Sequence, residues 1–139
     1  MKFGISSLAW QSPFRDPLGQ FSKAKKDGCD IYEITAEDFA TLDADEIKAA
    51  KEATGIETPT MCGAFGDTRD VSSVNPDYRA NGVQYIKDMV DLSVKIGTKV
   101  IVGPIYSACG KARPLTPDEK KQQWAWAVEN LKAAADYAG

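Results

Sequence analysis

The chain has 139 residues, 43% of them hydrophobic and 27% charged, which is ordinary globular composition with enough length for one core. A formal net charge of −3 speaks against a nucleic-acid binder, which would carry a basic face. Histidine is absent, so Ser-His-Asp and Cys-His catalysis and every histidine-containing metal set are excluded from these residues.

The first strand is expected over Lys2–Ser7, followed by the loop Ala9–Phe14 and a helix over Pro17–Asp27. Met1-Lys2 leads straight into this strand, no signal peptide is read, and no apolar run reaches membrane-spanning length. A second strand is expected over Asp30–Thr35, with a helix starting near Asp43, where Glu46 three residues on suggests a capping box. The third strand is placed at Ile56–Cys62, although Pro59 must cost it a ladder hydrogen bond. Asn75-Pro76 reads as a helix start, and Val83, Ile86, Met89, Val90 and Val94 as its apolar stripe. The fourth strand is Lys99–Gly103. A long loop, Pro104–Leu115, then reaches Thr116-Pro117-Asp118-Glu119, a capping box with proline at the first helical position. Trp124, Ala127, Val128, Leu131, Ala134, Ala135 and Ala138 are spaced like the buried face of that last helix.

Gly28, Gly55 and Gly97 each close a helix just before a strand, and Gly139 occupies the same slot with no strand after it. Four strand–helix units with short connections imply a parallel sheet with right-handed crossovers. Two closures fit: a four-stranded doubly wound sheet, or the (βα)4 half of a TIM barrel. The half-barrel is favoured because the repeat is uninterrupted and complete barrels run to about 250 residues. Residues 1–139 are therefore read as a single half-barrel domain, the N-terminal half of the whole. Its open strand edges call for a homo-oligomeric partner or other cover.

In such an array, chemistry gathers in the loops after the strands. That end carries Ser6, Ser7, Trp10, Glu33, Glu37, Asp38, Cys62, Phe65, Asp67 and Arg69, then Tyr106, Ser107, Cys109, Lys111 and Arg113. Aromatic plates among scattered polar groups suit a sugar, whose C–H faces stack on rings while its hydroxyls take hydrogen bonds. Each residue also has a plainer reading. Trp10 is either a pocket wall or a packing plug. Glu33, inside the second strand, either has a functional role or is satisfied by a lysine or a backbone group. Cys62 and Cys109 either line a pocket or act as small hydrophobes. Lys111 and Arg113 either hold a phosphate or close a lid, or are simply solvated. Glu37-Asp38 is explained by helix-start chemistry. The glycine loops lack phosphate-loop spacing. Three cysteines without Cys-x-x-Cys spacing suggest neither a disulfide framework nor a zinc site, and fit a reducing cytoplasm.

Taken together, several segments resemble the sugar isomerase/epimerase superfamily with the xylose-isomerase-like barrel, nearest to ketose 3-epimerases of the tagatose/psicose (allulose) type. They are Lys2-Phe3-Gly4-Ile5-Ser6-Ser7, Gly28-Cys29-Asp30-Ile31-Tyr32-Glu33-Ile34 and Met61-Cys62-Gly63-Ala64-Phe65-Gly66. Asp70-Val71-Ser72-Ser73, Val102-Gly103-Pro104-Ile105-Tyr106-Ser107-Ala108 and Gly110-Lys111-Ala112-Arg113 add to the likeness. The resemblance runs along the whole chain and corresponds to the first half of such an enzyme.

It implies epimerisation of a ketose at its third carbon. A divalent ion, typically manganese, chelates two neighbouring sugar oxygens. One glutamate removes the proton and a second returns it from the opposite face, through an enediolate. The family's metal set, two glutamates, an aspartate and a histidine, comes from later strands and matches nothing here. No catalytic or metal residue is carried over, and the chain by itself is expected to be inactive. What the resemblance assigns is a substrate lining of Ser7, Trp10, Gly63, Phe65, Gly103, Ile105 and Cys109. Cys109 stands where such epimerases often carry tryptophan, and Ser7 where they often carry tyrosine. A small-molecule sugar is the implied partner; a nucleic acid or a membrane is not.

Overall fold

A computed structural model describes all 139 residues, Met1 to Gly139. The order is β1 (Gly4–Ser6), α1 (Pro17–Lys26), β2 (Ile31–Thr35), α2 (Ala44–Thr54), β3 (Thr60–Cys62), α3 (Pro76–Ile96), β4 (Val100–Val102) and α4 (Pro117–Ala138). The four strands form one parallel sheet in the sequential order β1-β2-β3-β4. A doubly wound sheet reverses its strand order at a switch point. Sequential order does not, and it is that of a (βα)4 half of a TIM barrel. No helix is long and apolar enough to cross a membrane.

The strands are shorter than their apolar runs. Residue Ser7 leaves β1 for a 3₁₀ turn over Ser7–Ala9. Pro59 cuts the third strand as expected: Glu57 still pairs with Ile31 through an isolated bridge, and the ladder resumes only at Thr60. With no N–H to give, Pro59 contributes its carbonyl, which accepts from Lys99 and Val100 (3.2 Å each). Beyond the strands, the Ala36 N–H donates to the Cys62 carbonyl (2.8 Å) and the Gly63 N–H to that of Val102 (2.9 Å).

The helix ends follow the local signals. The Asp43 side chain accepts from the Asp45 and Glu46 N–H groups, which is only the N-cap half of the box expected there, and the Asn75 amide oxygen accepts from Asp77. The full reciprocal box of Thr116 and Glu119 opens α4. Gly28, Gly55 and Gly97 all take left-handed backbone angles (φ 87°, 66° and 75°) at the helix ends.

The chain forms two compact units, one of residues 1–63 with 91–102, the other of residues 64–90 with 103–139. The first holds the whole sheet, with α1 against α2. Phe14, Phe21 and Tyr32 are fully buried there, with ring centroids 5.1–6.0 Å apart, beside Ile34, Ile47 and Met61. The Lys51 ammonium caps the α3 end by donating to the Ile96 carbonyl. The second unit buries Phe65, Val71, Tyr85, Ile86, Met89 and Ala134.

Two expected apolar faces differ from the structure. On α3 the buried positions include Gly82, Tyr85, Ile86, Met89, Leu92 and Ile96, while Val94 is 77% exposed. A step of three or four residues from Met89 falls on Leu92 and Ser93, and Val94 lies past the edge of the stripe. On α4 the buried residues are Gln123 and Ala134, while Trp124 is 72% exposed and Val128, Ala135 and Ala138 are exposed as well. Helical spacing identified a stripe on α4, of which this chain covers Ala134 and partly Ala127 and Leu131, while Trp124, Val128, Ala135 and Ala138 lie open.

Candidate functional site at the carboxyl ends of the strands

In the first unit the sheet register sets Ser6 beside Glu33, and Glu33 next to Thr60. Tyr32 and Ile34 point into the helix-side core, so Ser6, Glu33 and Thr60 form a polar row on the opposite face. That face borders an open cavity of about 230 Å³ lined by this row with Gly4, Ile5 and Ile31. The Thr60 hydroxyl donates to Glu33 Oε2 (2.9 Å). Glu33 is thus met by a threonine hydroxyl, not by the lysine or backbone group that sequence reasoning offered. The Ser6 hydroxyl is buried with no partner.

One residue further along, Ser7 is completely buried. Its hydroxyl lies 2.6 Å from Thr35 Oγ1 and accepts the Thr35 N–H at 3.1 Å, tying the exit of β1 to the end of β2. Trp10 packs over the aromatic cluster, 6.0 Å from the Tyr32 ring, and Lys23 Nζ sits 3.5 Å from its ring centroid. The plug reading of Trp10 therefore has contacts to support it. Burial pushes the Tyr32 phenol up to about 12, and its hydroxyl donates to Gln20 (3.1 Å). Of the acidic pair, Glu37 accepts from Ser12 (2.6 Å), and Asp38 caps the 3₁₀ turn Phe39–Thr41. Gly63 is buried at the end of β3, and Cys62 is partly buried.

The second unit carries the loops after β3 and β4. Phe65 is buried against Tyr85 (5.9 Å), whose hydroxyl accepts from the Ala64 N–H (3.1 Å). The Phe65 N–H donates to the Pro104 carbonyl (3.4 Å), and its carbonyl accepts from Cys109 (3.1 Å). Residues 105–108 thus arch between two feet on Phe65. Gly103, Tyr106 and Cys109 are exposed and Ile105 partly so. Cys109 is an exposed free thiol rather than a small buried hydrophobe, and no disulfide forms.

Neither basic residue of this loop is merely solvated. Lys111 Nζ donates to Asp70 Oδ2 (2.8 Å) and to Ser72 Oγ (2.9 Å). Arg113 pairs with Glu119 (2.8 Å), whose carboxyl is held down at about 2 by the Arg113 and Thr116 hydrogen bonds. Both cations already face carboxylates, which removes the case for a phosphate site. Burial alone would raise the Asp70 carboxyl, but the hydrogen bonds from Lys111 and from the Ser72 hydroxyl and N–H outweigh it, and the net shift is downward. Sequence reasoning did not find this buried carboxylate, because nothing local marks a pairing across 41 residues. The α4 face borders a groove of about 400 Å³, with Tyr106, Leu115, Trp124, Val128 and Leu131 among its walls. No group of three His, Cys, Asp or Glu side chains stands close enough to share a metal ion. The residues present do not fit the metal implied by the resemblance.

The model of the family described as xylose isomerase-like TIM barrel matches residues 21–139. The chain belongs to the xylose isomerase-like TIM-barrel family. Within that family it is 29% identical over 142 residues to a D-psicose 3-epimerase of Ruminiclostridium cellulolyticum, covering 99% of this chain and 48% of that protein. A ketose 3-epimerase of Arthrobacter globiformis is also 29% identical, over 80% of this chain and 39% of its own length. The chain thus spans about half the length of the curated relatives it matches or less. Among solved structures, D-psicose 3-epimerase with D-tagatose from Clostridium cellulolyticum superposes with a TM-score of 0.85 at 27% identity, over 99% of this chain and 48% of that one. D-allulose 3-epimerase from Methylomonas sp. in complex with D-allulose gives the same TM-score at 24% identity, over 99% and 47%, a likeness of fold. The family assignment and the sequential strand order agree on the half-barrel.

Proposed function

We propose that this chain is the N-terminal half-barrel of a ketose 3-epimerase and supplies part of the sugar-binding lining. The observation that carries the reading is the match of 99% of the chain to D-psicose 3-epimerase with D-tagatose, with a TM-score of 0.85 at 27% identity. In this reading Trp10 and Gly63 of the first unit, and Phe65, Gly103, Ile105 and Cys109 of the second, each belong to the sugar-binding lining. Ser7 contributes indirectly, because its hydroxyl is already spent on Thr35. Phe65 likewise acts as the footing of the arch that carries Ile105 and Cys109. The proton-transferring glutamates and the donors of a divalent ion, manganese by the resemblance, lie outside residues 1–139.

The test begins with the intact mass of the native gene's product. Its action on D-fructose, D-allulose and D-tagatose is then followed by chromatography, with and without added manganese. Interconversion of a ketose with its C3 epimer by the native product, and none by residues 1–139 alone, is the expected result. A native product inert towards every ketose overturns the assignment, and turnover by the 139 residues alone overturns the division of labour.

A second reading, a half-barrel that self-associates as a binding or scaffold module, draws on the exposed Trp124 and Val128 of α4 and the exposed Val100 of β4. Sedimentation of the 139-residue chain at high concentration tests it, and a strictly monomeric species removes it.

A further inference from the structure

Backbone hydrogen bonds tie the β4–α4 loop to the β3–α3 loop only as far as Cys109, through the Phe65 carbonyl, and beyond it the Lys111 N–H closes a local turn onto the Ala108 carbonyl (3.3 Å). Between Cys109 and the first turn of α4 it carries two charged side chains, Lys111 and Arg113. Arg113 turns forward to Glu119, within its own helix start. Lys111 turns back to the β3–α3 loop. Gly110 makes that reversal possible, since its φ of 80° lies in the left-handed region that a side chain disfavours. The socket that receives Lys111 is prebuilt. The Asp70 side chain is 4% exposed, its Oδ1 is held by the Ser72 N–H (2.8 Å) and hydroxyl (2.7 Å), and its own N–H donates to the Tyr78 carbonyl of α3 (2.9 Å). Oδ2 remains, and Lys111 takes it.

A surface ion pair would add little. This one joins a carboxylate shut away from water to a lysine whose side chain is 25% exposed, so losing the cation leaves a buried charge short of a donor.

We propose that the Lys111–Asp70 pair is the latch that fixes the β4–α4 loop, making both of them positioning residues for the sugar-facing segment Ile105–Cys109. The proposal rests on the sugar-site reading above. Neither residue needs to touch the ligand. Their contribution is to hold the exposed arch in one posture, so that binding does not spend free energy ordering it.

The test compares wild type with Lys111→Met, Lys111→Arg and Asp70→Asn. In the 139-residue chain, hydrogen exchange is read at the Cys109 and Lys111 amides, with the β2 and β3 amides as the check on folding. Lys111→Met and Asp70→Asn are expected to speed exchange across residues 104–111 by on the order of tenfold while the sheet is unchanged, and Lys111→Arg to restore most of the protection. In the native gene's product, Lys111→Met is expected to raise the KM for the ketose roughly three- to tenfold, with kcat within about twofold. Unchanged exchange in Lys111→Met overturns the latch. Faster exchange with unchanged KM overturns the positioning role. A native product inactive on every ketose ends the sugar reading and with it the positioning role, a failure that the exchange data keep separate from failure of the latch.

Discussion

Gly82 sits inside α3, where an alanine would ordinarily help. Replacing an interior helical glycine by alanine gains about 0.8–1 kcal/mol from propensity. Here the added methyl would lie 3.0 Å from the Val71 backbone nitrogen, 3.1 Å from Val71 Cγ1 and 3.2 Å from the Asp70 nitrogen. Comfortable contacts of this kind need about 3.5–4.0 Å, so something has to move by a few tenths of an ångström. Neither neighbour can yield cheaply. The Asp70 N–H is bonded to the Tyr78 carbonyl, the Val71 carbonyl accepts from Asn130 Nδ2 (3.0 Å), and Val71 is fully buried. Overpacking against fixed neighbours costs about 1–3 kcal/mol, so after the propensity gain Gly82→Ala is expected to destabilise by up to about 2 kcal/mol net. Ala80→Gly, on the exposed side of the same helix, measures the propensity difference in place and is expected to cost about 1 kcal/mol. Urea unfolding followed by circular dichroism reads both, provided the slope m is unchanged. A Gly82→Ala chain more stable than wild type by the amount Ala80→Gly loses would show the Asp70–Val71 backbone to be soft. It would also weaken the case that the Asp70 socket is rigid.

Three further outcomes are expected. Ser7→Ala leaves both the Thr35 hydroxyl and N–H buried without their partner and should cost about 1–3 kcal/mol in urea unfolding. Thr35→Val, which leaves the N–H bond to Ser7 in place, should cost less, and the reverse ranking would contradict the assigned bonding. Asp70 titrates below its ordinary value in the folded chain, so its stabilising contribution is complete above the unfolded pKa of about 3.9 and is lost as pH falls through the lower folded value. Asp70→Asn should therefore flatten that part of the acid limb in a plot of urea midpoint against pH, and an unaltered limb would refute the shift. Trp124→Ser, at a side chain 72% exposed, should change stability by no more than about 0.5 kcal/mol, whereas a loss of core magnitude would mean that this side chain is covered after all.

What the sequence revealed and what it hid divide along a physical line. Signals that act within one turn of chain were legible: Thr116 with Glu119, Asp43 at the start of α2, Asn75-Pro76, and the left-handed glycines. Capping is decided by residues three or four apart, which is the range a sequence displays directly. The strand lengths were overread because an apolar run marks where a strand could continue, while the ladder continues only as far as a neighbour accepts it. Pro59 was visible as an interruption, but the surviving bridge at Glu57 was not. The partners of Glu33, Ser7 and Lys111 were hidden for the same reason at longer range, since each bond spans 27 to 41 residues and depends on register or on a loop's return path.

The α4 face shows the limit most plainly. Its periodicity is real, and Trp124, Val128 and Leu131 do share one side of the helix at spacings of four and three residues. Periodicity states that a helix has an apolar side but not what lies against it. Within this chain Trp124 and Val128 meet solvent, and burial falls on one edge of the stripe, at Ala134 and the adjacent Gln123. An apolar side left open at this scale is costly for an isolated soluble chain. A half-barrel that buries little apolar surface on α4 therefore draws its stability from the helix-side core around Tyr32 and from the Phe65–Tyr85 cluster. Substitutions in those two cores, rather than along the longer helix, are the ones that should unfold it.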